Sequence, residues 1–413
     1  MVEEPVVATE VESRLLLEQI VFDDDGFLGL HSTQLSEEPS LFRSSDGVEW
    51  TDFASMANPE LAAPIQWRRF IESSDGLAIA VRQPDFDFDS DVYVSSQGET
   101  WESLADFSRF GNSESTLQPI AVHGESVIAI DQVSAVEVAQ PASTEDTVID
   151  SAVNCDAEPD DLRTSTIELR FLGPEPSEVS SGSFFSFAGT TSPAFFYLDG
   201  LRVGVIDRGG AELKLCDDGR LLPPRGPGVV VIDGETGENL RFPAPAALAN
   251  ELRRQRNAIV LGELQLVENR THVIVAIGGV LWAIDEVTSE WRALTTPVND
   301  IGFTTTSDAV WSASGSSGRF YAVADGLVTI VEVGVGFDGE FEATARNSVI
   351  FHESEEAGTR TGLRLGAGSI LHANDKLIFY SQGGTTVWRL ELPIRELFSS
   401  DACMTCCRRE GCR

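Results

Sequence analysis

The chain has 413 residues, 66 acidic against 29 basic, and a formal net charge of −37. A field of that sign repels phosphate backbones and anionic headgroups, so nucleic acid and anionic membranes are poor partners, and no nucleic-acid partner is expected. No apolar stretch approaches the length of a bilayer span, so the chain is not expected to be an integral membrane protein. Its 42% apolar residues suffice for a core, but this length exceeds the usual single-core limit unless the core is divided among repeats.

The start, MVEEPVVATEVE, is acidic and lacks the apolar centre of a secretion signal. Either the protein is cytosolic or a leader has been removed. The acidic start resembles the linker behind an export signal, which places the protein outside the cell or in the cell envelope. Residues 1–13 form an acidic N-terminal segment. A strand near Val7 to Leu17 is expected to supply a missing fourth strand to the last repeat and to close a ring.

Residues 14–395 then read as short runs rich in Val, Ile, Phe and Leu, separated by Gly, Ser, Asp and Pro, the pattern of strands joined by turns. The first unit runs from about Leu15 to Ala54 (LLLEQIVF, FLGLHS, SLFRSS, WTDFA). The second, about Ile65 to Phe107, repeats the order (WRRFIES, LAIAVRQ, DVYVSS, WESLADF), with DGF (25–27) and DGL (75–77) at the same turn. A third begins near Leu117, is broken by an acidic insertion at 137–163, and resumes at STIELRFLG. The fourth carries AFFYLDGLRVGVI and VVVIDGETGENLRF around a Pro/Gly-rich insertion (222–228). ALANELRRQR (247–256) reads as a helical excursion between units. The fifth carries LGELQLVE, HVIVAIGG, VLWAIDE and EWRALTT. The sixth shows AVWSAS, RFYAVAD and LVTIVEV, and the last shows GSILHAN, KLIFYSQ and TVWRLEL. Units of this length point to an all-β propeller of seven blades with four antiparallel strands each, six or eight being the alternatives. Residues 396–413 form a Cys-rich C-terminal tail.

A phrase recurs 51 residues apart: SSDGVEW from Ser44 to Trp50 and SSQGETW from Ser95 to Trp101. Ser44 and Asp46 can accept bonds from the amides of a tight turn. Gly47 permits positive φ, and Trp50 buries its ring against the hairpin it closes. Ser95, Gly98 and Trp101 repeat the set, with Gln97 in place of the Asp. These residues resemble the Asp-box, or bacterial neuraminidase repeat, of sialidase-like propellers. In that family the boxes are structural and lie away from the ligand site. VIDGETGENL (231–240) and AIDEVTSEWRAL (283–294) resemble the outer hairpin of quinoprotein-type propeller repeats, Asp233 with Thr236 and Asp285 with Thr288 capping the turns. The docking Trp of those repeats is replaced by Arg241 and Ala293.

Three candidates carry chemistry. In DFDFDSD, Asp85, Asp87, Asp89 and Asp91 alternate, so an extended chain sets four carboxylates on one face; a calcium ion relieves their repulsion, a solvated acidic loop being the alternative. Cys155 and Cys216 are candidates for a disulfide, which implies an oxidising compartment. Cys403, Cys406, Cys407 and Cys412 offer thiolates for zinc, but their spacing fits no standard finger, against disulfides or an unstructured tail. The resemblance also implies a test for sialidase chemistry: arginines converging on a carboxylate, and a Tyr nucleophile beside a Glu. The tyrosines are Tyr93, Tyr197, Tyr321 and Tyr380, and strand packing is their expected role; the five histidines show no metal spacing. The reading is therefore a monomeric, non-catalytic binding or scaffold propeller that recognises a glycan or protein partner through loops on one face. The alternatives are a sialidase-like glycoside hydrolase and an assembly factor for a membrane complex. The discriminating feature is the central channel: convergent arginines beside a Tyr–Glu pair favour the hydrolase, and a lining of Ser, Gly and aliphatic residues favours binding.

Overall fold

The computed structural model describes residues 6–11, 17–23, 26–31, 41–52, 67–82, 91–96, 100–106, 115–133, 165–172, 179–186, 194–198, 200–207, 214–215, 221–222, 226–236, 238–254, 258–266, 270–295, 309–313, 318–324, 326–335, 341–353, 360–362, 368–382 and 386–392. Strands dominate them, and they group into antiparallel meanders of four. After β1 (Val6–Glu10), the first sheet is β2 (Leu17–Asp23), β3 (Gly26–His31), β4 (Leu41–Ser44) and β5 (Thr51–Asp52). The second is β6 (Trp67–Ser73), β7 (Leu77–Arg82), β8 (Asp91–Ser95) and β9 (Glu102–Asp106). The third is β10 (Ser115–His123), β11 (Ser126–Val133), β12 (Ser165–Leu172) and β13 (Val179–Ser186). In the fourth, β14 (Ala194–Tyr197) and β15 (Arg202–Asp207) precede a small hairpin, β16 (Lys214–Leu215) and β17 (Leu221–Leu222); β18 (Gly228–Asp233) and β19 (Asn239–Pro243) complete the sheet. The helix α1 (Ala246–Arg254) leads to the fifth sheet, β20 (Ile259–Leu266), β21 (Arg270–Ile277), β22 (Val280–Asp285) and β23 (Trp291–Ala293). The sixth is β24 (Val310–Ala313), β25 (Arg319–Ala324), β26 (Leu327–Val335) and β27 (Phe341–Glu353), with β28 (Arg360–Gly362) on the end of β27. The seventh is β29 (Gly368–Ala373), β30 (Leu377–Gln382) and β31 (Thr386–Glu391), with β1 as its fourth strand.

The chain divides into two compact units, one of residues 17–260 and 288–291, the other of 1–16, 261–287 and 292–413. In the first unit, each sheet buries both faces because successive residues of a strand point to opposite sides. Phe70 and Ile79 of the second sheet pack with Leu28, Leu30 and Leu41 of the first. Their neighbours Ile71, Ala78 and Ala80 face the other way, onto Val122, Val127 and Ala129 of the third. Ala121 and Ile128 of the third meet Val203, Val205, Val230 and Ile232 of the fourth. Two-sided burial explains why these strands read as continuous apolar runs rather than alternating ones. A fully buried Val or Ile contributes about 1.5–3 kcal/mol, so these layers outweigh any local turn.

Adjacent first strands also touch, through the Gln19 side-chain amide in one pair and through their backbones in the next. Gln19 accepts from the Phe70 amide at 2.7 Å and donates to its carbonyl at 3.3 Å. β6 and β10 lie in parallel register, Ala121 beside Glu72, and the Ser74 amide donates to the Val122 carbonyl at 3.1 Å. Parallel first strands side by side, with sheets stacked face to face in chain order, are the arrangement of a β-propeller. In the other unit, the sixth and seventh sheets share one core that joins Tyr321, Val323, Val328 and Ile330 to Ile378, Tyr380 and Leu390.

The sequence reading leaves the fourth strand of the sixth unit unassigned. It is the 13-residue β27, whose polar run ATARNS hides the strand pattern.

Candidate functional site

The repeated phrase builds a lock at the end of the first sheet. Ser44 Oγ accepts from the Gly47 amide at 2.8 Å and donates to Asp46 Oδ1 at 3.0 Å. Asp46 Oδ1 also accepts from the Val48 and Glu49 amides, at 2.8 and 3.0 Å. The Val48 amide above all, with Glu49 and Ser44, outweighs partial burial and holds the Asp46 carboxyl below its ordinary range. Gly47 has φ 77°. The ring of Trp50 covers Gly29, where a Cβ would come within 2.8 Å of it. Gly26 and Gly76 each close against the serine that opens the phrase: a Cβ at Gly26 would stand 2.3 Å from the Ser44 carbonyl oxygen, and one at Gly76 2.5 Å from that of Ser95. Trp101 lies in the core shared by the first two sheets. Gly98 falls outside the described residues.

The hairpins of the fourth and fifth sheets use the same device at the same place, between third and fourth strands. Asp233 Oδ1 accepts from the Glu235 and Thr236 amides at 2.9 Å each, and Asp285 Oδ1 from the Val287 amide at 2.8 Å. Thr236 and Thr288 accept from Glu238 and Glu290. Arg241, where the resembling repeats carry Trp, instead crosses the sheet to the buried Asp207 at 2.5 Å and donates to the Gly226 carbonyl at 2.6 Å. An ion pair takes the place of a stacked ring.

Asp85, Asp87, Asp89, Cys155, Cys216 and the four tail cysteines lie outside the described residues; Asp91 opens β8, paired with Val81 and Asp106. Among the described residues, no group of three or more His, Cys, Asp or Glu side chains is placed to hold a metal ion.

A polar group sits on the face of the sixth sheet turned to the seventh. Arg319 of β25 stands opposite Glu332 of β26, its Nε donating to Glu332 Oε1 at 2.8 Å and its Nη2 to the same oxygen. Arg319 Nη1 reaches Asp375, in the turn between β29 and β30, at 3.3 Å. Burial alone would lower the Arg319 pKa, but the Glu332 hydrogen bond and charge raise it, so the guanidinium stays protonated. Tyr321 follows two residues along β25, opposite Ile330, and is 0% exposed. Arg346, opposite Ile330 on β27, is buried as well. Across the core, burial pushes the Tyr380 phenol up to about 12. His372 of β29, edge-tilted to Phe379 at 6.4 Å, is pushed down to about 4 by burial. It is therefore neutral at pH 7.

This is the residue set that sialidase chemistry requires in part: Arg, Tyr and Glu on one sheet face. Glu332 is held by Arg319, and Tyr321 is buried. The Arg319 contacts join β25 to β26 and to the turn before β30. The sequence reading passed over Arg319, Glu332 and Arg346. Arginine and glutamate inside apolar strand runs were the available signal, because charges seldom sit in such runs unless paired.

No family model matches the chain, and no curated protein matches it by sequence. The solved structures it is similar to include BamB from Moraxella catarrhalis, at 11% identity over 94% of this chain and 99% of that one, with a TM-score of 0.39. YCF48 from Cyanidioschyzon merolae is similar at 10% identity over 93% and 98%, TM-score 0.45. Streptogramin B lyase is similar at 10% identity over 78% and 92%, TM-score 0.28. All three are β-propeller-type folds. The likeness stops at the fold.

Proposed function

We propose that this protein is a non-catalytic propeller that binds a glycan or protein partner, outside the cell or in the cell envelope, through loops on one face. The carrying observation is the closure of the Arg319–Glu332–Tyr321 group. The residues a sialidase-like site would need open are engaged between strands, with Tyr321 fully buried. Connection lengths support the same reading. In the first unit, the turns between third and fourth strands of the first and fourth sheets are capped by Ser44 with Asp46 and by Asp233 with Thr236. The connections spanning 32–40, 83–90, 134–164 and 208–227 leave from the other end of their sheets. Long connections on a rigid sheet scaffold are where binding surfaces are built. The alternative, a sialidase-like hydrolase, is favoured only by the shared face of Arg319, Tyr321 and Glu332.

The test pairs two assays. Fluorogenic sialosides, galactosides and glucosides are incubated with the protein from pH 4 to 8, and a glycan array is probed with the same sample. The expected result is no turnover above that of Tyr321→Phe, together with saturable binding to an array glycan or, failing that, to a defined protein. Turnover that Tyr321→Phe abolishes would establish the hydrolase and overturn the binding reading.

A further inference from the structure

In the first unit the fourth strand of every sheet stands at an end of the strand order, and three of the four are guarded against a further strand. β5 is only two residues long, Thr51 and Asp52, both exposed. β9 carries Glu102 and Asp106 within five residues, and its pairing with β8 shifts register between Val92 and Tyr93. β19 carries Arg241, turned inward to Asp207, and ends in Pro243. Short length, charge, bulges and proline are the devices by which sheets refuse another strand. β13 has none of them. It runs for eight residues, VSSGSFFS, without a charge or a proline. All of them, Val179 to Ser186, pair with Leu172 to Ser165 of β12 in one unshifted register. Among the described residues, β13 pairs with β12 alone. Its Gly182 lies mid-strand, where glycine often marks the close approach of a second backbone.

Charge selects the occupant. Every copy of the chain carries −37, so a second copy is repelled and a basic segment is drawn in. The residues just before Val179, GPEPSE, hold Glu175 and Glu178 and no base, whereas those just after Ser186, FAGTTSP, hold no charge. We propose that β13 is a docking strand for an extended segment of another protein, laid antiparallel with lysines or arginines at its C-terminal end. This surface is separate from the loops assigned above to partner binding. The backbone groups along β13 supply affinity and demand an extended occupant. Antiparallel pairing is the commoner and slightly stronger kind. That direction carries the occupant's C-terminal end toward Val179, from which the chain runs back through Glu178 and Glu175.

The test uses the full chain and a fluorescein-labelled peptide of four Thr-Val repeats followed by three lysines, read by anisotropy. Saturable binding is expected, with Kd raised about tenfold or more when the valines are replaced by proline, which cannot donate to a ladder. Moving the lysines to the N-terminal end should raise Kd about threefold, and Glu175→Lys/Glu178→Lys should erase the difference between the two placements. Hydrogen exchange on the complex should slow at alternate amides of Val179–Ser186, those turned away from β12, and the same amides should exchange fast in the free chain. Absence of saturable binding, indifference to proline, or slowing confined to other strands overturns the proposal. So does protection of those amides in the free chain: another segment of this chain then covers the edge, or, where protection grows with protein concentration, a second copy does.

Discussion

Ser289 has φ 59°, and among the described residues no other non-glycine residue has positive φ. It sits in the turn between β22 and β23, where the first sheet places Gly47 at φ 77° in its corresponding turn. The left-handed region costs an L-residue roughly 1–2 kcal/mol, because Cβ crowds the neighbouring carbonyl. Ser289 is held there by the caps on either side, Asp285 on the Val287 amide and Thr288 on the Glu290 amide. Replacing it with glycine removes that cost but adds conformational freedom to the unfolded chain, worth roughly 0.5–1 kcal/mol the other way. The net expectation for Ser289→Gly is a gain of between about 0 and 1.5 kcal/mol, centred near 0.75, read as a higher urea midpoint at unchanged m-value. A lower midpoint would mean that the turn carries no such strain. Glycine at the equivalent point of the first sheet is then a solution to the same geometry, reached with a different residue.

At the scale of strands, β29 buries a histidine that must stay neutral. His372 titrates near 4 in the folded protein because burial penalises its charged form, against about 6.5 unfolded. Between those values the unfolded chain binds a proton that the native chain refuses. Stability is therefore whole above about pH 6.5 and declines as pH falls toward 4, by on the order of 2–3 kcal/mol from this group. Urea midpoints at pH 7.5 and 5 should differ less for His372→Gln than for the native chain; equal differences would remove His372 as the cause. The same strands show what was legible beforehand. Runs such as VVVI and HVIVAI announce themselves because both faces of their sheets are buried, and the turn residues Asp46, Asp233 and Asp285 carry their capping chemistry in their identity. β27 does not announce itself, because Arg346 and Ser348 occupy its buried face. That Arg319 and Glu332 are partners is not legible in the sequence, for a further reason. Glu332 lies 13 residues beyond its partner, and only the β25–β26 register brings the two opposite each other.

Across the whole molecule, a formal charge of −37 opposes compaction. Within the first unit, the described charged side chains classed as exposed are carboxylates, Asp46, Asp75, Glu125 and Glu238 among them. Arg241 of that unit is turned inward to Asp207 instead. Self-repulsion of this kind is long-ranged at low ionic strength and fades as the screening length shrinks from about 10 Å at 0.1 M to about 3 Å at 1 M. The Tm should therefore climb by several degrees between 10 mM and 1 M NaCl, opposite to the loss expected of a fold held by exposed ion pairs. Calcium chloride at matched ionic strength separates screening from binding. If the DFDFDSD run takes calcium, the Tm gains a surplus that saturates with calcium, is reversed by chelator, and disappears in Asp87→Asn/Asp89→Asn. Superimposable curves for the two salts would leave screening as the whole effect and remove calcium from the account. A Tm that falls with NaCl would show that the exposed charges are paired rather than repelling.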